Sequence, residues 1–218
     1  MFKVIPDLLD SAGVAALGEI AKRSNFVDGR VSNPHNKAKN NLQTYDPRAA
    51  ELLSRALMEH EDFRNFAFPA KMTPPFLSRY DPGMGYGWHA DAAMPDPGSG
   101  PVRADLSCTI FLSNPASYAG GALAIRLGDA ELKFRGNAGS AIVYPSTTFH
   151  QVEPVTSGSR LVGLTLIQSR VESAHHREIL YDLNEIAALE GSKMDFANYS
   201  RLHLVQRNLL NVFSDPPR

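Results

Sequence analysis

The chain has 218 residues, with 22 basic and 23 acidic side chains, a net charge of −1 with histidine neutral, and 43% hydrophobic residues. That composition is globular and excludes a disordered chain, a collagen-like repeat or a polybasic arm, and its balanced charge gives no global reason to bind nucleic acid. The lone cysteine, Cys108, excludes an intrachain disulfide and a cysteine-based zinc or iron–sulfur site. The length suits one domain with room for a small appendage. MFKVIPDLLD at the N-terminus carries acids within ten residues and no apolar run, so no signal peptide is expected there, and no run approaches the roughly 18 apolar residues of a membrane span. The expected compartment is the cytoplasm, with no membrane partner.

Helical signals occupy the first third. Asp10 or Ser11 can cap a helix through about Arg23. Asp46-Pro47 pairs a capping carboxylate with a proline at the first helical position, and Ala50, Leu53 and Leu57 recur at helical spacing, which predicts a helix over 47–60. After Pro74-Pro75 the texture changes to short apolar or alternating runs bounded by Gly, Pro or Asn: 76–80, 86–91, 105–112, 121–127, 131–135, 140–144, 149–155 and 160–169. Closely spaced short strands with turn signals predict a β-sandwich or jelly roll. Beyond Arg170, Ile179, Leu183 and Ile186 predict one helix face, closed by Gly191 as a C-cap. Leu202, Val205, Leu209 and Val212 predict another, ending at the Pro216-Pro217 tail. The expected organisation is a 1–170 unit, made of N-terminal helices and a β core, followed by a helical extension over 171–218.

Two of the seven histidines stand in His-x-Asp. On a helix, positions i and i+2 point apart, whereas on a strand they share a face. His60-Glu61-Asp62 ends the helix begun at Asp46, so a solvated helix end is expected there. His89-Ala90-Asp91 follows the glycine-rich DPGMGYGW on an extended segment, where imidazole and carboxylate can converge. Downstream, His150 follows the run GSAIVYPS, and Arg160 opens RLVGLTLIQ. Alone, Arg160 reads as a strand-end surface residue, because burying it without an anion is costly. Taken together, two His and one carboxylate on one face of an octahedral ion leave three positions open, as in non-haem Fe(II) oxygenases. A 2-oxo acid fills two of them and O2 the third, and its far carboxylate calls for the planar fork of an arginine.

At these residues the chain resembles a known family. RYDPGMGYGWHADAAMP, RADLSCTIFLS, GGALAI, AGSAIVYPSTTFHQVEPVTSGSR and IQSRV look like the bacterial PKHD-type hydroxylases, which are Fe(II)/2-oxoglutarate dioxygenases related to prolyl 4-hydroxylase catalytic domains. VIPDLLD, FVDGR, KNNLQ and ILYDLNEI extend the resemblance over nearly the whole chain. It implies an α+β protein with a double-stranded β-helix core (jelly-roll, cupin-like) and flanking helices. It also implies His89, Asp91 and His150 as iron ligands, and Arg160 with Tyr80 on the co-substrate. A second tyrosine that some prolyl hydroxylases place beside the arginine is Phe111 here. The implied reaction consumes 2-oxoglutarate and O2, releases succinate and CO2, and hydroxylates a substrate, with ascorbate as reductant. The substrate is left open among a prolyl or lysyl side chain, a peptide, an amino acid and a small metabolite.

Two other functions compete: a cupin-like isomerase, which would not need Arg160, and a non-catalytic binding module, which would tolerate loss of any ligand. Trp88 alternates away from His89 and is expected in the core. Asp96-Pro97-Gly98-Ser99-Gly100 is read as a loop, either a substrate lid or a plain connection. Lys39, Asn40, Asn41 and Gln43 are candidates for the substrate mouth, with capping of the following helix as the competing use. Glu153 and Asp105 are expected as strand-end polar residues, His175-His176 at a solvated helix start, and Cys108 as a buried small side chain. The C-terminal stripe is expected mostly as intramolecular core, with a homodimer seam as the weaker alternative.

Overall fold

The computed structural model describes residues 1–33, 36–98 and 100–214; Ser99 of the glycine-rich loop and the Pro216-Pro217 tail lie outside the described residues. The elements run β1 (Lys3–Ile5), α1 (Ser11–Arg23), β2 (Val27–Asp28), β3 (Lys39–Asn40), β4 (Leu42–Thr44), α2 (Pro47–Glu59), α3 (Glu61–Ala67), β5 (Pro69–Met72), β6 (Phe76–Tyr80) and β7 (Gly85–His89). They continue with β8 (Leu106–Phe111), β9 (Ala119–Gly120), β10 (Leu123–Leu127), β11 (Ala130–Phe134), β12 (Ala141–Pro145), β13 (His150–Val152), β14 (Val155–Ser157), β15 (Arg160–Ser169), α4 (Ala174–Glu190) and α5 (Phe196–Phe213).

The strands form two antiparallel sheets of a double-stranded β-helix. The larger has the order β1-β12-β8-β15-β6-β4-β2, with β5 also paired to β15, and the smaller has the order β11-β10-β13-β7-β3. Strand β15 is long enough to hold two partners on one edge: β6 pairs along its first half and β5 along its last residues. Alternation divides the core into two layers. Ile110, Ala141, Val143 and Ile167 point outward against Leu17, Leu53, Leu57, Phe63 and Phe66 of the helices. Phe111, Ile142, Tyr144 and Val162 point inward against Leu123, Ile125 and Val152 of the smaller sheet. Strand β8 is therefore buried on both faces and reads as a continuous run, LSCTIF.

The helix starts follow their caps. The Asp10 carboxylate accepts from Gly13 N, and Asp46 accepts from Arg48 N and Ala49 N, as the sequence predicts. Helix α3 departs from expectation. His60 is not a solvated helix end but the junction where α2 stops and α3 starts, and its Nδ1 is buried without a hydrogen-bond partner among the described residues. The chain turns sharply there because α3 must bring Phe63 and Phe66 under the larger sheet. The run 149–155 is divided between β13 and β14, since it serves the smaller sheet first and then a separate pair with β9. Gly191 ends α4 as predicted, but with φ −56° it continues into a short 3-10 turn.

Helix α4 buries Arg177 and Leu180, not the stripe of Ile179, Leu183 and Ile186, because its seat is α3. Tyr181 meets Phe66 edge to face at 5.5 Å and accepts from Lys3 Nζ at 2.7 Å. Helix α5 packs on α4 through Phe213, stacked 3.9 Å from His176, and through Gln206, which donates to Leu183 O. His176 is thus covered rather than solvated. The expected apolar stripe of α5 splits: Leu202 and Leu209 are half-buried, whereas Val205 and Val212 are exposed. No helix among the described residues is long and apolar enough to cross a membrane.

Candidate active site

The two sheets face each other across the site, and each supplies half of it. Strands β7 and β13 are neighbours in the smaller sheet, with His89 directly opposite His150 and ring centroids 4.2 Å apart. Each imidazole Nδ1 lies 2.8 Å from the carbonyl two residues earlier, Gly87 O for His89 and Thr148 O for His150. A carbonyl only accepts, so each Nδ1 carries the proton and each Nε2 offers a lone pair to the site. Asp91 lies two residues beyond the end of β7, so the expected strand to 91 is shortened, yet the carboxylate still converges on the histidines. Its oxygens sit 3.9 Å from His89 Nε2 and 3.7 Å from His150 Nε2, and the three candidate ligand atoms all lie within 4.8 Å of one another. Ser107 of β8 donates its hydroxyl to Asp91 Oδ2 and fixes the carboxylate's orientation. Burial and the neighbouring His150 push His89 down to about 4, which keeps it neutral and ligand-competent near pH 7.

A bulge tunes this half. Between the pairs His150–His89 and Val152–Tyr86, β7 carries one residue more than β13. The extra residue puts Tyr86 and His89 on the same face instead of opposite ones. Their rings stack with centroids 3.5 Å apart. Gly87 permits the arrangement, because a Cβ there would meet Ala38 Cβ at 2.8 Å. The Tyr86 hydroxyl accepts from the amides of Asn33 and Asn36 at 3.3 Å each, and Lys39 Nζ lies 5.4 Å from its ring centroid. Trp88 faces the other way as predicted, but to the outer surface and not the core. It is half-buried, stacked 5.4 Å from Phe149, with the Arg126 guanidinium 4.2 Å from its ring.

The larger sheet supplies the other half. Arg160 and Tyr80 are direct cross-strand partners on β15 and β6. Arg160 is only 1% exposed, yet its Nε and both terminal nitrogens have no hydrogen-bond partner among the described residues. The Tyr80 and Phe111 rings stand 5.1 and 5.9 Å from the guanidinium. The tyrosines 80, 118 and 144 surround it and favour its charge, while burial pushes its pKa down. Gly121 makes room for it: at φ +64°, a Cβ would come within 3.0 Å of Arg160 Cδ. Tyr144 lies between the halves, its ring 5.2 Å from that of His150.

Every ligand and anchor residue expected from the sequence is thus in one place. His60 is not: with Leu8, Asp10 and Leu52 it lines a depression on the helical side. Glu153 is tied to Lys133, and Asp105 grips Arg103 through two bonds while accepting from Ser169 N, so both are structural strand-end groups. Lys39, Asn40, Asn41 and Gln43 do not cap α2. Lys39 and Asn40 pair with Tyr86 and Gly85, and the buried Asn41 amide donates to Ser78 Oγ beside Tyr80. Residues that sequence reasoning passed over are Ser107, Tyr86, Tyr118 and Tyr144. Tyr144 and Ser107 are cross-strand partners, but in fully buried strands no alternation marks which face they occupy.

The donor set fits a divalent ion that prefers nitrogen and carboxylate ligands, and the unpaired buried guanidinium fits a carboxylate held near it. Fold and site together define the 2OG-Fe(II) oxygenase class, and residues 75–167 match the family model of the 2OG-Fe(II) oxygenase superfamily. A PKHD-type hydroxylase of Sphingopyxis alaskensis is 52% identical over 98% of this chain and 99% of its own length. One from Colwellia psychrerythraea is 40% identical over 84% of this chain and 85% of its own. Among solved structures, a Pseudomonas putida prolyl-4-hydroxylase shares the fold, with a TM-score of 0.60 at 21% identity over 78% of this chain and 92% of that one. The chain belongs to the PKHD-type hydroxylases and is a 2-oxoglutarate-dependent dioxygenase.

Proposed function

We propose that His89, Asp91 and His150 hold Fe(II), and that Arg160, assisted by Tyr80, takes the far carboxylate of 2-oxoglutarate. The observation that carries this reading is Arg160: a fully buried guanidinium whose three nitrogens have no hydrogen-bond partner among the described residues, across the inter-sheet space from a His–Asp–His cluster. An isomerase or a binding module on the same sandwich would have no use for that cation, whose burial costs several kcal/mol when unpaired (about 3–5). When bound, Fe(II) and 2-oxoglutarate supply the oxidising chemistry, in which one atom of O2 goes to succinate and the other to a substrate C–H bond.

The protein's part is positioning. The two Gly87 and Thr148 carbonyls lock the imidazole tautomers, and Ser107 holds one Asp91 oxygen so that the other is free to ligate. Phe111 offers no hydroxyl to the co-substrate, so Tyr80 stands as the added donor, with Tyr118 and Tyr144 close by. No side chain is required as a general base. Ascorbate is the reductant we assign, and the cytoplasm the compartment. The functional unit is 1–170, with 171–218 as a helical extension packed on it. The substrate is a small molecule or a peptidyl side chain, with neither nucleic acid nor membrane as partner, and the exposed residues of α5 make a homodimer the assembly to look for.

The test is succinate release from 2-oxoglutarate with Fe(II) and ascorbate, followed by a mass-spectrometric search for a product one oxygen atom heavier than its substrate. His89→Ala should abolish succinate release and metal binding while the fold survives, and His60→Ala should do neither. Full turnover by His89→Ala under limiting iron would overturn the ligand assignment.

A further inference from the structure

We propose that Lys39 is a substrate-recognition residue, whose buried ammonium takes a carboxylate carried by the molecule to be hydroxylated. The inference rests on the reading of the His89–Asp91–His150 and Arg160 site given above and narrows its substrate class. Lys39 sits directly opposite Tyr86 in the β3–β7 pair, so the two side chains share a face. The bulge in β7 turns that face toward His89. Tyr86 therefore has the His89 ring against it, with centroids 3.5 Å apart, and the Lys39 ammonium 5.4 Å from its centroid. The ammonium stands one ring away from the proposed metal centre.

Its surroundings lack the partner a buried cation needs. Lys39 is 8% exposed and donates to Ser32 Oγ at 2.6 Å, with Gln43 Oε1 at 3.5 Å, both neutral. The acids whose charge it feels are Asp91 and Asp28, and neither makes an ion pair with it among the described residues; Asp28 is taken by Arg30. The Tyr86 hydroxyl takes the amides of Asn33 and Asn36, which with Lys37 and Ala38 line an open depression of about 560 Å³ with no acid among its described lining residues. A buried ammonium held only by neutral groups is expensive unless an anion arrives to meet it. With two of its three donors directed at Ser32 and Gln43, Nζ has one left, which addresses a single oxygen. That suits a carboxylate monoanion better than a phosphate dianion. Arg160 serves the co-substrate from the other sheet, so the two cations divide two carboxylates between them.

The experiment uses acetate as the minimal carboxylate and acetamide as its neutral isostere. The full chain is loaded with Mn(II) and saturating 2-oxoglutarate, and unfolding temperatures are followed as acetate replaces chloride at constant ionic strength. Acetate should raise the wild-type unfolding temperature and acetamide should not. Lys39→Met should weaken the apparent acetate affinity by at least about tenfold, the loss of one bond to a charged group. If Lys39→Met does not fold, Lys39→Gln, which keeps polar contact with Ser32, takes its place. An acetate effect that is absent from the wild type, equal in the variant, or reproduced by acetamide would overturn the proposal. The shift produced by 2-oxoglutarate itself is measured first. Its absence would strike down the Arg160 reading and leave the acetate comparison to stand or fall by itself.

Discussion

Replacing Arg160 by methionine should make the ligand-free protein more stable and the enzyme useless. The side chain is 1% exposed and none of its three nitrogens has a partner among the described residues. An uncompensated buried charge costs about 3–5 kcal/mol. The rings of Tyr80 and Phe111, 5.1 and 5.9 Å from the guanidinium, return about 0.5–2 kcal/mol in total as cation–π contacts. Methionine keeps most of the volume and removes the charge, so a net gain of roughly 1–4 kcal/mol is expected, or roughly 2–16 °C at 2–4 °C per kcal/mol for a chain of this size. The co-substrate side moves oppositely. Two charge-assisted bonds at about 1.5–3 kcal/mol each amount to a loss of roughly 10²- to 10⁴-fold in 2-oxoglutarate affinity. Differential scanning calorimetry of both proteins, with and without Mn(II) and 2-oxoglutarate, reads both effects at once. An Arg160→Met protein that unfolds well below the wild type yet is still stabilised by 2-oxoglutarate would refute the reasoning, because the guanidinium would then be a satisfied structural group.

Three further outcomes follow from the site and its supports. Tyr80→Phe should raise the KM for 2-oxoglutarate by about tenfold or more, up to ~150-fold, with iron binding spared; an unchanged KM would mean that the hydroxyl serves only Ser78 and Asn41. His89 is held down to about 4 in the fold against about 6.5 in the unfolded chain, so the unfolded state binds more protons between those values. Its contribution, on the order of 3 kcal/mol, is therefore complete above pH 6.5 and lost as the pH falls toward 4. Urea titrations of the metal-free protein across that window should show the decline, and His89→Gln should flatten it. Removing 172–218 should give insoluble or molten protein, because α4 seats Tyr181 on Phe66 and holds the buried Val171 through Arg177, whereas removing only 195–218 should leave a folded core, since α5 has no fully buried residue. Solubility and cooperative melting of the two truncations decide between these roles.

The parts of the fold that were legible in the sequence are those where local chemistry speaks alone. Asp10 and Asp46 announce helices because a cap is a contact within three residues. The residues proposed as iron ligands and anchor stand out because their side-chain types are rare on strands and few partners suit them. Strands β1 to β5 and β9 escaped because each is four residues or shorter, too brief for a period to show, and is fixed by its neighbour's edge. Tyr86 was missed for a sharper reason. Strict alternation places it on the opposite face from His89, and only the extra residue in β7, visible as a mismatch against β13, brings them together. The tail misled because apolar spacing says that a helix has a face but not where a neighbour lies. The seat on α3 selected Arg177 and Leu180 instead of the predicted stripe.

The bulge in β7 also makes the segment a counter of residues. Between Tyr86 and His89 the chain spends three steps where its partner spends two, and the bulge absorbs the odd step so that both ends point inward. Substitutions at Trp88, which looks outward, change the surface and leave the count alone. A deletion of one residue at 87 or 88 leaves two steps on each strand, so plain alternation keeps Tyr86 and His89 on one face, and what is lost is the bulge with its local bend and twist. The stretch from Gly85 to Asp91 is therefore free to vary in composition at its outward positions, and insertions meant to widen the site belong in the loop beyond Asp91.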